Sequence, residues 1–191
     1  LLLPMRTDLL RYLHVFAVVA EYGCIRASCD ALVKAPSTLT RAIASLEGML
    51  ATTLFDRTAS GLRLTAHGDL VRQHVRKIRA ELVGVHAEAL SSPGRIGPVA
   101  EVAALFNESR LRLAVLLAAQ GHMPSVATAG CVTQPAVSQA IKHLESSLGQ
   151  AMFARAPVKM MPTEQATEWI SCFERVLREL DILRYRLRSA C

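Results

Sequence analysis

Hydrophobic and polar positions follow three successive rhythms along this chain. Residues 9–22, LLRYLHVFAVVAEY, place Leu9, Leu13, Phe16, Val19 and Ala20 on one stripe, the period of an amphipathic helix, and Gly23 follows as a C-terminal stop. Residues 26–33, RASCDALV, form a second short helix, with Ala27 and Ala31 small enough to let it sit close to its neighbour. Lys34, Ala35 and Pro36 make a turn, and Ser37 to Met49 make a third helix. Leu54, Phe55, Leu62 and Leu64 then alternate with polar residues around Ser60–Gly61, which is a short hairpin with glycine at its bend. Three helices and a two-stranded wing make a winged helix-turn-helix. From Ala66 the spacing changes to a heptad: Val71, Val75 (with His74 beside it), Ile78, Leu82, Val85 and Ala89 form a seam, with Arg72, Arg76, Lys77, Arg79 and Glu81 outside it. A small domain cannot bury such a seam, so this long helix needs a partner helix.

The pattern occurs twice. Residues 35–50, APSTLTRAIASLEGML, align without a gap with 133–148, TQPAVSQAIKHLESSL, at an offset of 98. At that offset Leu13 matches Leu111, Gly23 matches Gly121, Leu46–Glu47 matches Leu144–Glu145, Phe55 matches Phe153, Arg57 matches Arg155 and Thr65 matches Thr163. A constant register over so many positions marks an internal duplication. In the second copy Val137, Ile141, Leu144 and Leu148 form one apolar helix face, Thr133 is a candidate N-cap, and Pro135 fits the first turn. Its seam is Trp169, Phe173, Val176, Leu180, Leu183 and Leu187, each 98 beyond its mate.

Residues 91–98, SSPGRIGP, read as the linker, and Val99 to Phe106 as a helical lead-in to the second copy. Residues 110–120 repeat the first helix, and Pro124–Ser125 opens the next. The second copy departs from the first at two places. Gly130 stands where the first has Leu32, which removes a core side chain and lowers helix propensity. The second wing, ARAPVKMMPTEQ, holds Pro157 and Pro162 and only Lys159 as a basic tip, so a shorter or altered wing is expected.

A helix, a helix with small residues, a turn, QPAVSQAIKHLE and then, in the first copy, LFDRTASGLRLTAHG together resemble the N-terminal DNA-binding region of LysR-type transcriptional regulators. The resemblance covers residues 9–90 and 107–188. It implies a mainly α fold of two tandem winged helix-turn-helix domains, each followed by a long linker helix: 5–90, a linker over 91–98, and 99–191. In that family the third helix enters the major groove, the linker helix is the dimer contact, and a large effector-sensing domain normally follows; this sequence ends where that domain would start. The function implied is sequence-specific binding of double-stranded DNA to regulate transcription. The alternative is a winged-helix scaffold that uses the same surface for protein, since a fold alone does not give a function.

Base-reading side chains are expected early in each recognition helix. In the first copy these are Pro36, Ser37, Thr38, Thr40 and Arg41; in the second, Thr133, Gln134, Pro135, Ala136, Ser138 and Gln139. Arg41 can pair bidentately with guanine and Gln134 or Gln139 with adenine, while the prolines and Ala136 offer only apolar contact. Ser60 and Arg63 in the first wing and Lys159 in the second are candidates for phosphate or minor-groove contact. Arg57 and Arg155, each directly after a core Phe, could brace the wing or touch DNA.

Composition narrows the rest. The net charge of +6 and sequence pI near 9.4 suit a phosphate-facing surface. Residues 1–98 carry 12 Lys/Arg against 8 Asp/Glu, a net +4, and residues 99–191 carry 10 against 8, a net +2. Five cysteines form no C-x-x-C pair and leave one over, which reads as reduced thiols in a cytoplasmic protein. The histidines and cysteines lack metal-ligand spacing, and no phosphate loop, nucleophile elbow or acid–base pair appears, so neither an enzyme nor a cofactor, metal or small-molecule site is expected. Glu47 and Glu145 are expected to cap or pair at a helix end. No apolar run reaches membrane-span length. The leading LLLP is too short for a signal peptide, and Met5 is the expected start.

The chain holds both long helices, 66–90 and 163–189, with seams in matching register. An antiparallel pair brings the end of the first beside the start of the second, which a linker of eight residues can close. A parallel pair would need the linker to run back along roughly 37 Å of helix, beyond the about 26–29 Å that eight extended residues reach. The expectation is an intramolecular pseudo-dimer; the alternative is a homodimer through the same seams.

Overall fold

Two three-helix heads, each with a two-stranded wing, and two helices of 26 residues make up the computed structural model. It describes residues 8–59, 61–92, 97–98, 100–155 and 159–189. The chain is mainly α. The first head contains α1 (Leu9–Tyr22), α2 (Ile25–Leu32), α3 (Pro36–Leu50), β1 (Phe55–Thr58) and β2 (Gly61–Leu64), and leads into α4 (Ala66–Ser91). The second contains α5 (Glu108–Gln120), α6 (Met123–Ala129), α7 (Gln134–Leu148), β3 (Phe153–Arg155) and β4 (Met160–Pro162), and leads into α8 (Glu164–Ser189). Both wings are antiparallel hairpins, Phe55 opposite Leu64 in one and Phe153 opposite Pro162 in the other.

Local chemistry explains most of the boundaries. Gly23 and Gly121 end α1 and α5 in the left-handed region, and each donates its N–H back to the helix, to Val19 and Leu117. Pro36 lies inside α3 as its first residue and not in the preceding turn, because its fixed φ suits that position and it has no N–H to leave unpaired. Thr133 caps α7, its hydroxyl accepting from Ala136 N–H at 3.4 Å. Strands β3 and β4 are one residue shorter than β1 and β2; Ser60, Pro157 and the other tip residues 156–158 lie outside the described residues.

Three expectations need correction. Val99–Phe106 does not form a helix: the described part holds only a 3-10 turn at Val102–Leu105. Ala100 N–H is drawn to Ser147 O and Gly97 N–H to Gly149 O at the end of α7, and Leu105 and Phe106 are buried as anchors, so the described part follows α7 with one short 3-10 turn and no α-helix. Ala27 and Ala31 face solvent. The small residue on the inner side of α2 is Ser28, fully buried, whose hydroxyl donates to Cys24 O at 2.8 Å and so carries no unpaired group into the core. The Cβ position of Gly130, counted in the sequence as a lost core side chain, is already closely approached by its neighbours. A Cβ there would stand 3.1 Å from Leu113 Cδ2 and 3.1 Å from Val126 O, and Leu113 stands at the place of the shorter Val15 in the first head.

Contacts group the residues into two units, one of Leu9–Arg79 with Arg178–Cys191, the other of Leu1–Asp8 with Ala80–Leu177. In the first unit Leu10, Leu13, Phe16, Leu39, Leu46 and Leu54 are buried, and Phe16 meets Phe55 with ring centroids 5.3 Å apart. Here the start of α4 meets the end of α8: His74 Nδ1 lies 2.7 Å and Lys77 Nζ 3.1 Å from Glu179 Oε1. In the second unit the end of α4 runs against the start of α8 in the opposite direction. Arg175 grips both oxygens of Glu81 at 2.9 and 2.7 Å, and Trp169 Nε1 donates to Glu88 at 3.0 Å. The seam residues Val71, Val75, Ile78, Leu82 and Val85 of α4 are buried, as are Trp169, Phe173, Val176, Leu180, Leu183 and Leu187 of α8.

Candidate nucleic-acid interface

The third helix of each head is anchored by its apolar face and by one carboxylate. Leu39, Ile43, Leu46 and Leu50 of α3 are buried, as are Val137, Ala140, Ile141, Leu144 and Leu148 of α7. Glu47, near the end of α3, accepts from the N–H groups of Leu54 at 2.7 Å and Phe55 at 3.3 Å. Glu145 does the same for Met152 at 2.9 Å and Phe153 at 3.4 Å. Neither carboxylate caps a helix. Each ties the recognition helix to the entry of its wing, using hydrogen bonds to a charged acceptor, which are stronger than neutral ones. The second strand of each wing is tied to the first helix: Leu62 N–H donates to Gly23 O at 2.9 Å, and Met160 N–H to Gly121 O at 2.8 Å. A Cβ at Gly61, whose φ is +129°, would come within 2.8 Å of Gly23 O, so this close approach requires glycine.

What these ties leave free is the opposite side of α3 and α7. Pro36, Ser37, Thr38, Thr40 and Arg41 are all exposed, within two turns of one helix. The Thr40 hydroxyl donates to Pro36 O at 2.9 Å, so it meets an outside partner as an acceptor. In the second head Thr133, Gln134, Pro135 and Gln139 are exposed while Ala136 and Ser138 are half-buried. The Thr133 hydroxyl is engaged as the cap of α7.

The wings differ in charge. Arg63 is exposed on β2, opposite Asp56 in the register. Its counterpart in the second wing is Met161, 42 % exposed and opposite Ala154. Lys159, at the start of that wing's return strand, is exposed. Arg57 is exposed, whereas the side chain of Arg155, like Ser60, lies outside the described residues. Each head therefore brings its own set of candidates to one helix start and one wing.

Sequence reasoning missed the groups that order the long helices. Glu81 and Arg175 form a bidentate ion pair that holds the Glu81 carboxyl below its usual range. Burial raises the Glu179 carboxyl, but hydrogen bonds from Lys77 and His74 outweigh it and the net shift is downward. A signal was available: at the offset of 98, Lys77 matches Arg175 and Glu81 matches Glu179, a repeated cation–carboxylate spacing of four. Among the described residues no group of three His, Cys, Asp or Glu could hold a metal, and no helix is long and apolar enough to cross a membrane.

The family model of the bacterial regulatory helix-turn-helix protein, lysR family, matches the chain twice, over residues 10–69 and 109–167. The chain is 37% identical over 174 residues to the HTH-type transcriptional regulator GalR of Pseudomonas putida, which takes in 91% of this chain, hence both heads, and 42% of that protein. It is 38% identical over 69 residues to the SDS degradation transcriptional activation protein of a Pseudomonas strain, covering 36% of this chain and 22% of the relative. It is 37% identical over 71 residues to the HTH-type transcriptional regulator CbbR of Xanthobacter flavus, covering 37% and 21%. The chain thus spans about two fifths of the first relative and about a fifth of the other two. No solved structure matches it. With the family model matched across both heads, the chain belongs to the lysR family of bacterial regulatory helix-turn-helix proteins.

Proposed function

We propose that this chain is a sequence-specific double-stranded DNA-binding regulator of transcription. The start of α3 reads one half-site and the start of α7 the other, each from the major groove. The observation that carries this is the exposed run of Ser37, Thr38, Thr40 and Arg41, repeated in the second head by Gln134 and Gln139, on helices whose other face is apolar and buried. Hydrogen-bonding and guanidinium groups on a rigid helix are what base edges require. Arg63 and Lys159 supply phosphate contacts beside them. Relatives named as transcriptional regulators, one of them similar over both heads, support the same reading.

On this reading the units of recognition are the duplicated segments 5–90 and 99–191 joined by 91–98. The two long helices serve as an intramolecular pseudo-dimer, doing within one chain what linker helices do between two. The contacts of Glu81 with Arg175 and of Glu179 with His74 and Lys77 support antiparallel pairing.

Fluorescence anisotropy of the full chain with a mixed-sequence duplex at two salt concentrations tests the function. Binding that weakens steeply as salt rises is expected, because phosphate contacts release counterions. Absence of binding, or affinity indifferent to salt, would point to a protein-binding scaffold instead.

A further inference from the structure

The two long helices are repeats of one another, yet their inner faces are unequal in a systematic way. At the offset of 98 the larger residue lies on α8 at four of the paired seam positions: Trp169 against Val71, Phe173 against Val75, Leu183 against Val85 and Leu187 against Ala89. All eight are buried. The ion pairs fix how the faces meet. Glu81 with Arg175 and Glu88 with Trp169 in one unit, and Lys77 with Glu179 in the other, give the same antiparallel register within each unit taken by itself. In that register Trp169 is level with Ala89 and Phe173 with Val85, while Leu187 and Leu183 are level with Val71 and Val75. Large therefore meets small at both ends of the seam, a condition for close packing there without voids or strain.

We infer that α4 and α8 are a matched, unequal pair: each long helix selects a helix of the other type and rejects a second copy of itself. This inference rests on the antiparallel pairing proposed above and adds the rule that chooses the partner. Two helices of the α8 type in the same register would set Trp169 against Leu187 and Phe173 against Leu183, overfilling both ends of the seam. Two of the α4 type would set Val71 against Ala89 and Val75 against Val85, leaving space at both ends.

Polar groups point the same way. The pairs of Glu81 with Arg175 and of Glu179 with Lys77 cannot discriminate, because each helix carries both a cation and a carboxylate at the same spacing. Glu88 and Trp169 can. The counterpart of Glu88 on α8 is Arg186, and the counterpart of Trp169 on α4 is Val71. Two α8-type helices would bring the guanidinium of Arg186, which only donates, to the buried indole N–H of Trp169, leaving that donor without an acceptor at both ends. Two α4-type helices would bring Glu88 to Val71, where there is no donor to accept from. Only the unequal pair makes the Trp169 to Glu88 hydrogen bond.

The test is thermal unfolding of the full chain in two mutant cycles, with light scattering of each variant. Glu88→Arg imitates the residue that a second α8 would bring. It is expected to lower the melting midpoint by roughly 2–8 °C, the loss of about one part-buried hydrogen bond in a chain of this size. In a chain that also carries Trp169→Phe, which keeps the ring and removes the N–H, the same change should have little effect. Ala89→Leu, which imitates Leu187, should also destabilise, and Trp169→Val in the same chain should recover part of the loss. Additive effects in both cycles overturn the inference, whatever the mass. A wild-type mass of twice 20.8 kDa with non-additive cycles leaves the pairing rule in place and moves the pair between chains, which separates its fate from that of the pseudo-dimer.

Discussion

Arg41 is the one charged side chain in the first two turns of either recognition helix; residues 134–140 have none. On the proposed reading its guanidinium grips guanine bidentately, and the second head offers instead the amides of Gln134 and Gln139. Arg41→Ala is expected to relax discrimination at one base position by about 1–3 kcal/mol, and Gln139→Ala to do so at one position of the other half-site. Affinities for a panel of duplexes with single base changes check this. Uniform weakening with base preference unchanged would show that these side chains touch only phosphate. Such candidates were legible in the sequence because exposure follows from helical period: Leu39 and Ile43 fix the inner face, so Thr40 and Arg41 must point out. The roles of Glu47 and Ser28 were not legible. A carboxylate that accepts strand N–H groups seven and eight residues on, and a hydroxyl satisfied within its own helix, leave no mark in hydrophobic spacing.

Between elements, the carboxylates of Glu47 and Glu145 hold wing to recognition helix. Glu47→Ala leaves the N–H groups of Leu54 and Phe55 without their acceptor in a part-buried place, and should cost about 1–3 kcal/mol in urea unfolding. Glu145→Ala should cost a similar amount, while the exposed Glu174→Ala should change stability by less than about 0.5 kcal/mol. Equal effects at Glu145 and Glu174 would refute the tie. Helix and strand positions followed from period and caps with shifts of a residue or so. The lead-in at 99–106 did not, because an apolar run carries no sign of whether it will coil or lie along another helix. Acid sensitivity also belongs to this scale. Burial first, then the charges of Arg79 and Lys34, lower the His14 pKa below 6.5. The fold thus favours neutral His14, a stabilisation fully present above the unfolded value of 6.5 and lost as pH falls from there through the lowered folded-state pKa. Glu81 and Glu179, both held below 4.5, contribute stability that is full above 4.5 and is lost as pH drops further. Urea midpoints should therefore decline in two stages on acidification, and His14→Gln should remove the upper one. A wild-type profile flat from pH 7.5 to 5.5 would contradict the first stage.

At the scale of the whole molecule the question is how many chains one operator takes. The duplication and the heptad seams were visible in the sequence, since both depend on residue spacing alone. The grouping of contacts was not: each unit combines one head with part of each long helix, and only the pairing of distant segments such as Glu81 with Arg175 reveals it. If one chain supplies two heads, it should fill one two-part operator alone. The heads differ at every candidate base-reading position, so the two half-sites should differ in sequence and form an imperfect inverted repeat. Selection from random duplexes gives the site, and a titration far above Kd gives the stoichiometry. The expected break is at one chain per duplex, with Arg41→Ala altering the selected bases in one half and Gln139→Ala in the other. Two chains per duplex and two identical half-sites would mean that only one kind of head reads DNA, with the second copy left as a partner helix and its support.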